Sequence, residues 1–429
     1  MIQKKCTLRI DEQISSFLLI SALCLHAVIL GLSDDEAYYW ALSRQVRTGY
    51  AFHPPGVVWS IAFVCHLFGD YAVRLAPCLG SIAVFLLARR WVAHFGVRLF
   101  WPLLGFAGFW AFAWMAVPDN LLFIGLMLLM LGVCEYRAWQ LVLGALLVLV
   151  AKFSGVLAIA SACYLLVQQK KWRALGFLGL GTLLGLAPSF YWNVTHDFLP
   201  LLYQLRDRHG GGFSWTRWGL FIGSQLLLLG PWIFFLRRQM SQAMIFALPP
   251  LMVYCIQPLF ADFKPHWALV GWWPLFLHTI VHVPAIRRMQ TWYGGLLAVV
   301  MVLACYGPFP LAQDASGWEQ LVVPPSLPVV ALRYQTASQA AYALRDRPVY
   351  LLPRSLKEYP EWPSGVGIVD SDGPGWPRLL RPIVVVGSSV YPPRPEFLGA
   401  TCELERTIET RNLLGFLGQS LIVLRCNPS

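Results

Sequence analysis

Ser33-Asp34-Asp35-Glu36-Ala37-Tyr38-Tyr39-Trp40, followed shortly by Phe52-His53-Pro54-Pro55-Gly56, is the stretch on which the reading of this chain turns. Three adjacent carboxylates stand at the end of an apolar run, and two prolines then fix the backbone behind a histidine. Crowded carboxylates repel one another, and raising one pKa suits a general base. The plainer role of the same acids is to open a helix. His53 either meets an anion or caps a turn.

The chain around this stretch has 429 residues, 57% hydrophobic and only 13% charged. Soluble domains run near 45–50% apolar and about 25% charged. The composition excludes a soluble globular enzyme, a disordered tail and a disulfide-stapled miniprotein. Apolar runs at about 14–32, 71–90, 98–117, 119–135, 138–151, 153–168, 174–191, 218–236, 242–260, 267–286 and 291–308 predict about 11 transmembrane helices. The first run is too long for a signal-peptide core and reads as an uncleaved anchor.

Charge orders these spans. The net charge is +11, yet residues 309–429 hold 11 basic and 11 acidic side chains. The excess therefore lies in 1–308. With the N-terminus inside, alternate connections carry Arg89, Arg90, Arg98, Arg137, Lys170, Lys171, Arg173, Arg237, Arg238, Arg287 and Arg288. Only Asp11, Glu12 and Glu135 oppose them there. This is the bias of cytoplasmic loops, not a nucleic-acid surface. It places the N-terminus in the cytoplasm and the tail across the membrane.

Other chemistry-bearing residues fall on the same outer side. Val117-Pro118-Asp119-Asn120 sets a carboxylate between two spans. Lys152 interrupts an apolar stretch, where a lone cation needs a partner, an anionic ligand or a route to the interface. One outer loop contains Tyr191-Trp192-Asn193, His196-Asp197, Arg206, Arg208 and a glycine run at 210–212; another reads Asp262-Phe263-Lys264-Pro265-His266-Trp267. Each is equally consistent with an ordinary interfacial loop. Their concurrence on one face is the informative point.

The tail, 309–429, reads as a small α/β domain. Ala337–Leu344 has helical character, Pro348–Leu352, Pro382–Val386 and Leu421–Arg425 read as strands, and 353–381 as loop. It has no nucleotide-binding glycine fingerprint. Of ten cysteines, Cys402 and Cys426 alone lie in it, and an oxidising compartment allows either a disulfide or two free thiols.

Asp35-Glu36-Ala37-Tyr38-Tyr39-Trp40, His53-Pro54-Pro55 and Pro118-Asp119 together resemble the polyprenyl-phosphate-sugar glycosyltransferases. These include bacterial protein O-mannosyltransferase-like enzymes and the lipid A aminoarabinose transferases. Trp192-Asn193, His196-Asp197, Lys264-Pro265-His266-Trp267 and Ala340-Ala341-Tyr342 extend the likeness along the chain. The resemblance implies a polytopic helical membrane protein of GT-C type, with residues 1–308 as the membrane domain, outer juxtamembrane helices at about 36–68, and 309–429 as a periplasmic α/β domain. It implies an inverting transfer, in a bacterial inner membrane, from undecaprenyl or another polyprenyl phosphate to a lipid, glycan or protein acceptor. Asp35 then matches the family's acidic motif residue, as general base or acceptor-positioning group; of the other catalytic candidates, Glu36 would tune it and Asp119 would orient donor or acceptor. His53, Lys152, Arg206, Arg208 and Lys264 are the phosphate-binding candidates, and Asp34, Tyr38, Tyr39, His196, His266 and Trp267 the acceptor or sugar contacts. His53 stands where the aminoarabinose branch has a phosphate-gripping lysine, and Phe52 where it has a glutamate. The metal site of that branch is therefore not supported; no cofactor is required, and dependence on a divalent metal is left open. A lipid-linked-sugar flippase and a non-catalytic membrane scaffold are the competing functions.

Overall fold

The computed structural model describes residues 21, 25, 27–50, 52–97, 101–198, 200–202, 212–236, 241–307, 315, 317–345, 347–351, 382–390, 392–393, 400–412 and 416–428. The helices in chain order are α1 Asp34–Ser43, α2 Gly56–Phe68, α3 Leu75–Ala93, α4 Ala107–Phe112, α5 Pro118–Glu135, α6 Ala138–Ala151, α7 Gly155–Gln168, α8 Trp172–Thr195, α9 Trp215–Leu229, α10 Gln242–Ile256, α11 Leu269–His282, α12 Pro284–Tyr306 and α13 Tyr334–Ala343. The strands are β1 Val329–Ala331, β2 Val349–Leu351, β3 Ile383–Ser388, β4 Ala400–Arg411 and β5 Leu417–Pro428.

Among the described residues, six helical stretches are long and apolar enough to cross a bilayer: Asp70–Ala93, Pro118–Glu135, Trp172–Thr195, Trp215–Phe235, Gln242–Leu259 and Pro284–Tyr306. The expected first span lies largely outside the described residues. The expected span at 98–117 is corrected. It is broken into a 3-10 turn, Trp101–Gly105, and the six-residue α4. Gln290 enforces the break by donating to the Gly105 carbonyl at 2.6 Å. A side chain at Gly105 would also meet the Gln290 carbonyl oxygen at 2.4 Å.

The chain forms two compact units that cut across the expected boundary at 308. One comprises Met1–Ile29, Phe52–Val57 and Arg74–Ala298; the other comprises Leu30–Ala51, Val58–Val73 and Val299–Ser429. They are called here the membrane unit and the tail unit.

In the membrane unit α5 is the buried axis. Pro118 opens it at a position whose N–H needs no helical partner, and Asp119 complements the positive end of the helix dipole. Tyr136, in the left-handed region at φ 55, closes it with its N–H on the Gly132 carbonyl. Eighteen residues reach about 27 Å, close to a hydrocarbon core of about 30 Å. Close packing needs small residues, since lipid supplies no hydrophobic drive between helices. Gly125 and Gly144 provide them: a Cβ on Gly125 would lie 2.9 Å from the Gly144 carbonyl oxygen.

Helices α6 and α7 have 14 residues each, only about 21 Å apiece. The chain breaks between them at Lys152, whose backbone is extended at φ −148, ψ 147. Gly155 makes the break possible, since a Cβ there would meet the Val148 carbonyl oxygen at 2.1 Å.

The tail unit carries a five-stranded sheet of order β2-β1-β3-β5-β4. The first two pairings are parallel and the last two antiparallel. Val330, Ile383, Val385, Leu424 and Cys426 form a small core on the sheet. The strands read from sequence at 348–352, 382–386 and 421–425 all exist, as does the helix; β1 and β4 are additions, and the 353–381 loop lies outside the described residues. Cys402 and Cys426 face each other across β4 and β5 and form a disulfide.

Candidate active site

In the membrane unit, four elements bring sequence-predicted residues together. Asp119 comes from the first turn of α5, and Lys152 from the α6–α7 break. His53 precedes the Pro-Pro pair that leads into α2, and His266 lies on the 3-10 turn Pro265–Ala268. Lys152 Nζ donates to both carboxylate oxygens of Asp119, at 2.7 Å each. The Asp119 side chain keeps 5% of its exposure and Lys152 13%. A buried cation without such a partner would be costly, which explains how the lysine persists in an apolar run. His53 and His266 both sit within the electrostatic reach of Asp119.

The turn carrying His266 is held from below. Gln225, buried within α9, donates to the Pro265 carbonyl at 2.9 Å and accepts from Trp272 Nε1 at 3.0 Å. The His266 ring meets Phe112 edge-on at 5.8 Å. Burial pushes its imidazole down to about 4; Lys152 and Lys264 add to the fall, and Asp119 opposes it. His266 is thus neutral at pH 7.

Asn120, next to Asp119, donates to the Pro77 carbonyl, to Ser81 Oγ and to the Phe112 carbonyl, at 3.0, 3.1 and 3.2 Å. It ties α5 to α3 and α4 just where Asp119 leaves the helix. Neither Gln225 nor Asn120 was assigned from sequence. Gln225 left a signal, because a lone amide in an apolar run is expensive unless it is used.

A cavity of about 690 Å³ opens beside this cluster. Its polar lining is His53, Lys152, Ser154 and Gln257. The rest is apolar, with Val156 and Leu157 from α7 opposite Met252, Val253 and Ile256 from α10, and Trp267 near the head. Ser154 Oγ is buried with no hydrogen-bond partner among the described residues. Among the described residues, Lys152 is the one Lys, Arg, Asp or Glu in that lining. Lys264 is exposed on the turn and outside it. Arg206 and Arg208 lie outside the described residues.

His196 has local duties. Its ring stacks on Trp192 at 3.5 Å, and its Nδ1 lies 3.0 Å from the Trp192 carbonyl. Gly181 and Gly185 of α8 pass Val142 and Leu146 of α6 in the same order. The two helices therefore run in the same direction, and His196 emerges at the end of the bundle that holds Lys152. The opposite end gathers Arg90, His94 and Arg137 around Glu135. Lys152 and the Glu135 cluster thus lie at opposite ends of these helices.

In the tail unit, the acidic stretch opens α1, and its three carboxylates diverge. Glu36 accepts from both Ser33 N and Ser33 Oγ at 3.0 Å and is fully buried. That is a capping box, which ties the Glu36 carboxylate to the start of α1. Asp34 accepts from Gln339 Nε2 at 3.3 Å. Asp35 is the exposed member of the three. Tyr38 and Tyr39 are both buried, at 7% and 4% exposure. Tyr38 packs on Tyr334, and Trp40 on Tyr342, at 5.0 and 4.9 Å. The aromatic run is the seam between α1 and α13. Among the described residues no group of three His, Cys, Asp or Glu side chains is placed to hold a metal ion.

No family model matches the chain, and no curated protein matches it. Solved structures do. ArnT from Cupriavidus metallidurans in the apo state superposes with a TM-score of 0.61 at 15% identity, covering 96% of this chain and 98% of that one. The same protein bound to undecaprenyl phosphate gives 0.63 at 14% identity, covering 95% and 98%. At such identity the likeness is one of fold. The chain shares the architecture of those structures, a mostly helical body with several membrane-length helices and a small C-terminal sheet region.

Proposed function

We propose that this chain is a glycosyltransferase of the inner membrane that moves a sugar from a polyprenyl monophosphate carrier to an acceptor of the cell envelope. One observation carries the reading: a charged pair, Lys152–Asp119, stands with His53 at the head of a large apolar cavity between α7 and α10. A ligand fitting both parts has an anionic head and a long apolar chain. Val156, Met252, Val253 and Ile256 are 44–60% exposed, so a lipid chain can leave the cavity sideways into the bilayer. The fold neighbour bound to undecaprenyl phosphate supports the same ligand class.

The chemistry is a displacement at the anomeric carbon. The acceptor hydroxyl oxygen forms the new bond, and the bond from that carbon to the phosphate oxygen breaks. Its electron pair stays on the phosphate. Asp35, the exposed acid at the start of α1, takes the hydroxyl proton. Lys152 stabilises the phosphate as negative charge accumulates. The Cys402–Cys426 disulfide supports placing the tail on the oxidising, periplasmic side. The acceptor is lipid A, a glycan or a protein.

The test uses the purified chain in nanodiscs, a panel of radiolabelled polyprenyl-phosphate sugars and an envelope extract as acceptor. The wild type transfers label. Asp35→Asn lowers the rate by about 10²–10⁴-fold with carrier binding intact. Transfer undiminished in Asp35→Asn removes the base assignment. Labelled carrier that merely crosses the bilayer favours the flippase.

A further inference from the structure

The head of the cavity holds a cation that is already neutralised. Lys152 meets both oxygens of Asp119 at 2.7 Å. The other groups facing this pair are His53 and His266, with Lys264 acting from outside. His266 is neutral, and Lys264 is exposed, so water and salt screen its charge. The Lys152–Asp119 pair itself therefore carries no net charge.

That balance matters because the reaction changes the charge of its lipid. The donor is a phosphodiester with one negative charge. When the sugar leaves with the acceptor oxygen, the phosphate keeps the bonding electrons and becomes a monoester. A phosphate monoester carries about −1.5 to −2 at pH 7, with its second pKa near 6. Burying an ion costs free energy that grows with the square of its charge, and a pocket of zero net charge returns little of it. One additional negative charge is drawn to Lys152 and repelled by Asp119 to similar extents.

Resting on the carrier reading above, we propose that Asp119 is a specificity-determining residue that makes the site favour the monoanionic donor over the dianionic spent carrier, so that the product is released. Lys152 grips the phosphate; Asp119 limits how much charge it tolerates. Asp119 thereby sets which phosphate species remains bound, without contacting the reacting carbon.

The experiment needs no knowledge of the sugar. Undecaprenyl phosphate and its monomethyl ester differ in charge and by one methyl group. Binding of each to the full chain in zwitterionic nanodiscs is measured at pH 8 and pH 5. The wild type binds the methyl ester about tenfold more tightly at pH 8. At pH 5 the monophosphate is itself a monoanion, and the ratio falls to near one. Both ligands are then monoanions, so any cation gained at the head on acidification strengthens both alike and leaves the ratio unchanged. In Asp119→Asn the uncompensated Lys152 reverses the preference at pH 8. Equal or tighter binding of the monophosphate by the wild type at pH 8 overturns the proposal, and this arm stands even if the variant does not fold. Equal weakening of both ligands in Asp119→Asn overturns it too, leaving Asp119 to position Lys152. Failure of the wild type to bind either ligand sinks the carrier reading itself.

Discussion

At the scale of single residues, the acidic stretch shows how neighbours of one type diverge once a helix forms. Positions 34, 35 and 36 are successive, so they point in different directions around α1. Glu36, at the third position, reaches back to Ser33, while Asp35 is left exposed. Sequence could single out the stretch, but not divide its labour. The division depends on where the helix begins and on Gln339, a residue 305 positions away. His266 carries a prediction at this scale. Its folded imidazole titrates near 4, whereas an unfolded histidine titrates near 6.5. Below the unfolded value the unfolded chain binds the extra proton, so folding loses stability as pH falls from about 6.5 towards 4, and keeps it in full above 6.5. Thermal unfolding of the purified protein should show a loss of up to about 3 kcal/mol across that window. His266→Gln should flatten the dependence; an unchanged slope would assign the acid sensitivity to other groups.

At the scale of elements, hydropathy found α5 nearly to the residue, because Pro118, Asp119 and the end at Glu135 coincide with the edges of the apolar run. It misread 98–117, because an apolar average does not register a broken backbone. The break is imposed by Gln290, far along the chain. Strand β4 escaped for the opposite reason. It is an edge strand, almost fully exposed, in which Glu403, Glu405, Arg406 and Glu409 are interspersed with the apolar positions and the short alternation breaks at Arg406. Its charges and two register shifts are the means by which an edge avoids pairing with another chain. The join of α3 to α5 carries a second prediction. A Cβ at Gly80 would fall 1.9 Å from Asn120 Oδ1. Gly80→Ala must therefore displace the amide that anchors α5 beside Asp119. Such overpacking costs about 1–3 kcal/mol, and carrier affinity should fall with it, whereas Gly176→Ala, where nothing lies within 4 Å, should change neither. Equal behaviour of the two variants in a thermal-shift and binding assay would contradict the anchoring role.

At the scale of the whole molecule, composition and loop charge sufficed for a multi-span protein with a distinct tail. The clustering of 30–51 and 58–73 with the tail was not legible in them, because ring partners of Tyr38 and Trp40 lie hundreds of residues later. The disulfide closes the β4–β5 hairpin across 24 positions, a loop worth about 3 kcal/mol in the chain-entropy picture. Cys402→Ser should lower the tail unit's resistance to protease and denaturant by about that amount, with no change on adding reductant to the variant; a wild type indifferent to reductant would remove the bridge from the account. The bond from Gln339 to the Leu32 carbonyl spans 307 positions. A ribosome adding roughly 5–20 residues per second takes about 15–60 s to cover that distance. The aromatic face of α1 is therefore made long before α13 can cover it. During that interval, the membrane surface or a chaperone has to hold Tyr38–Trp40, and truncation before residue 334 should leave α1 as a target for degradation.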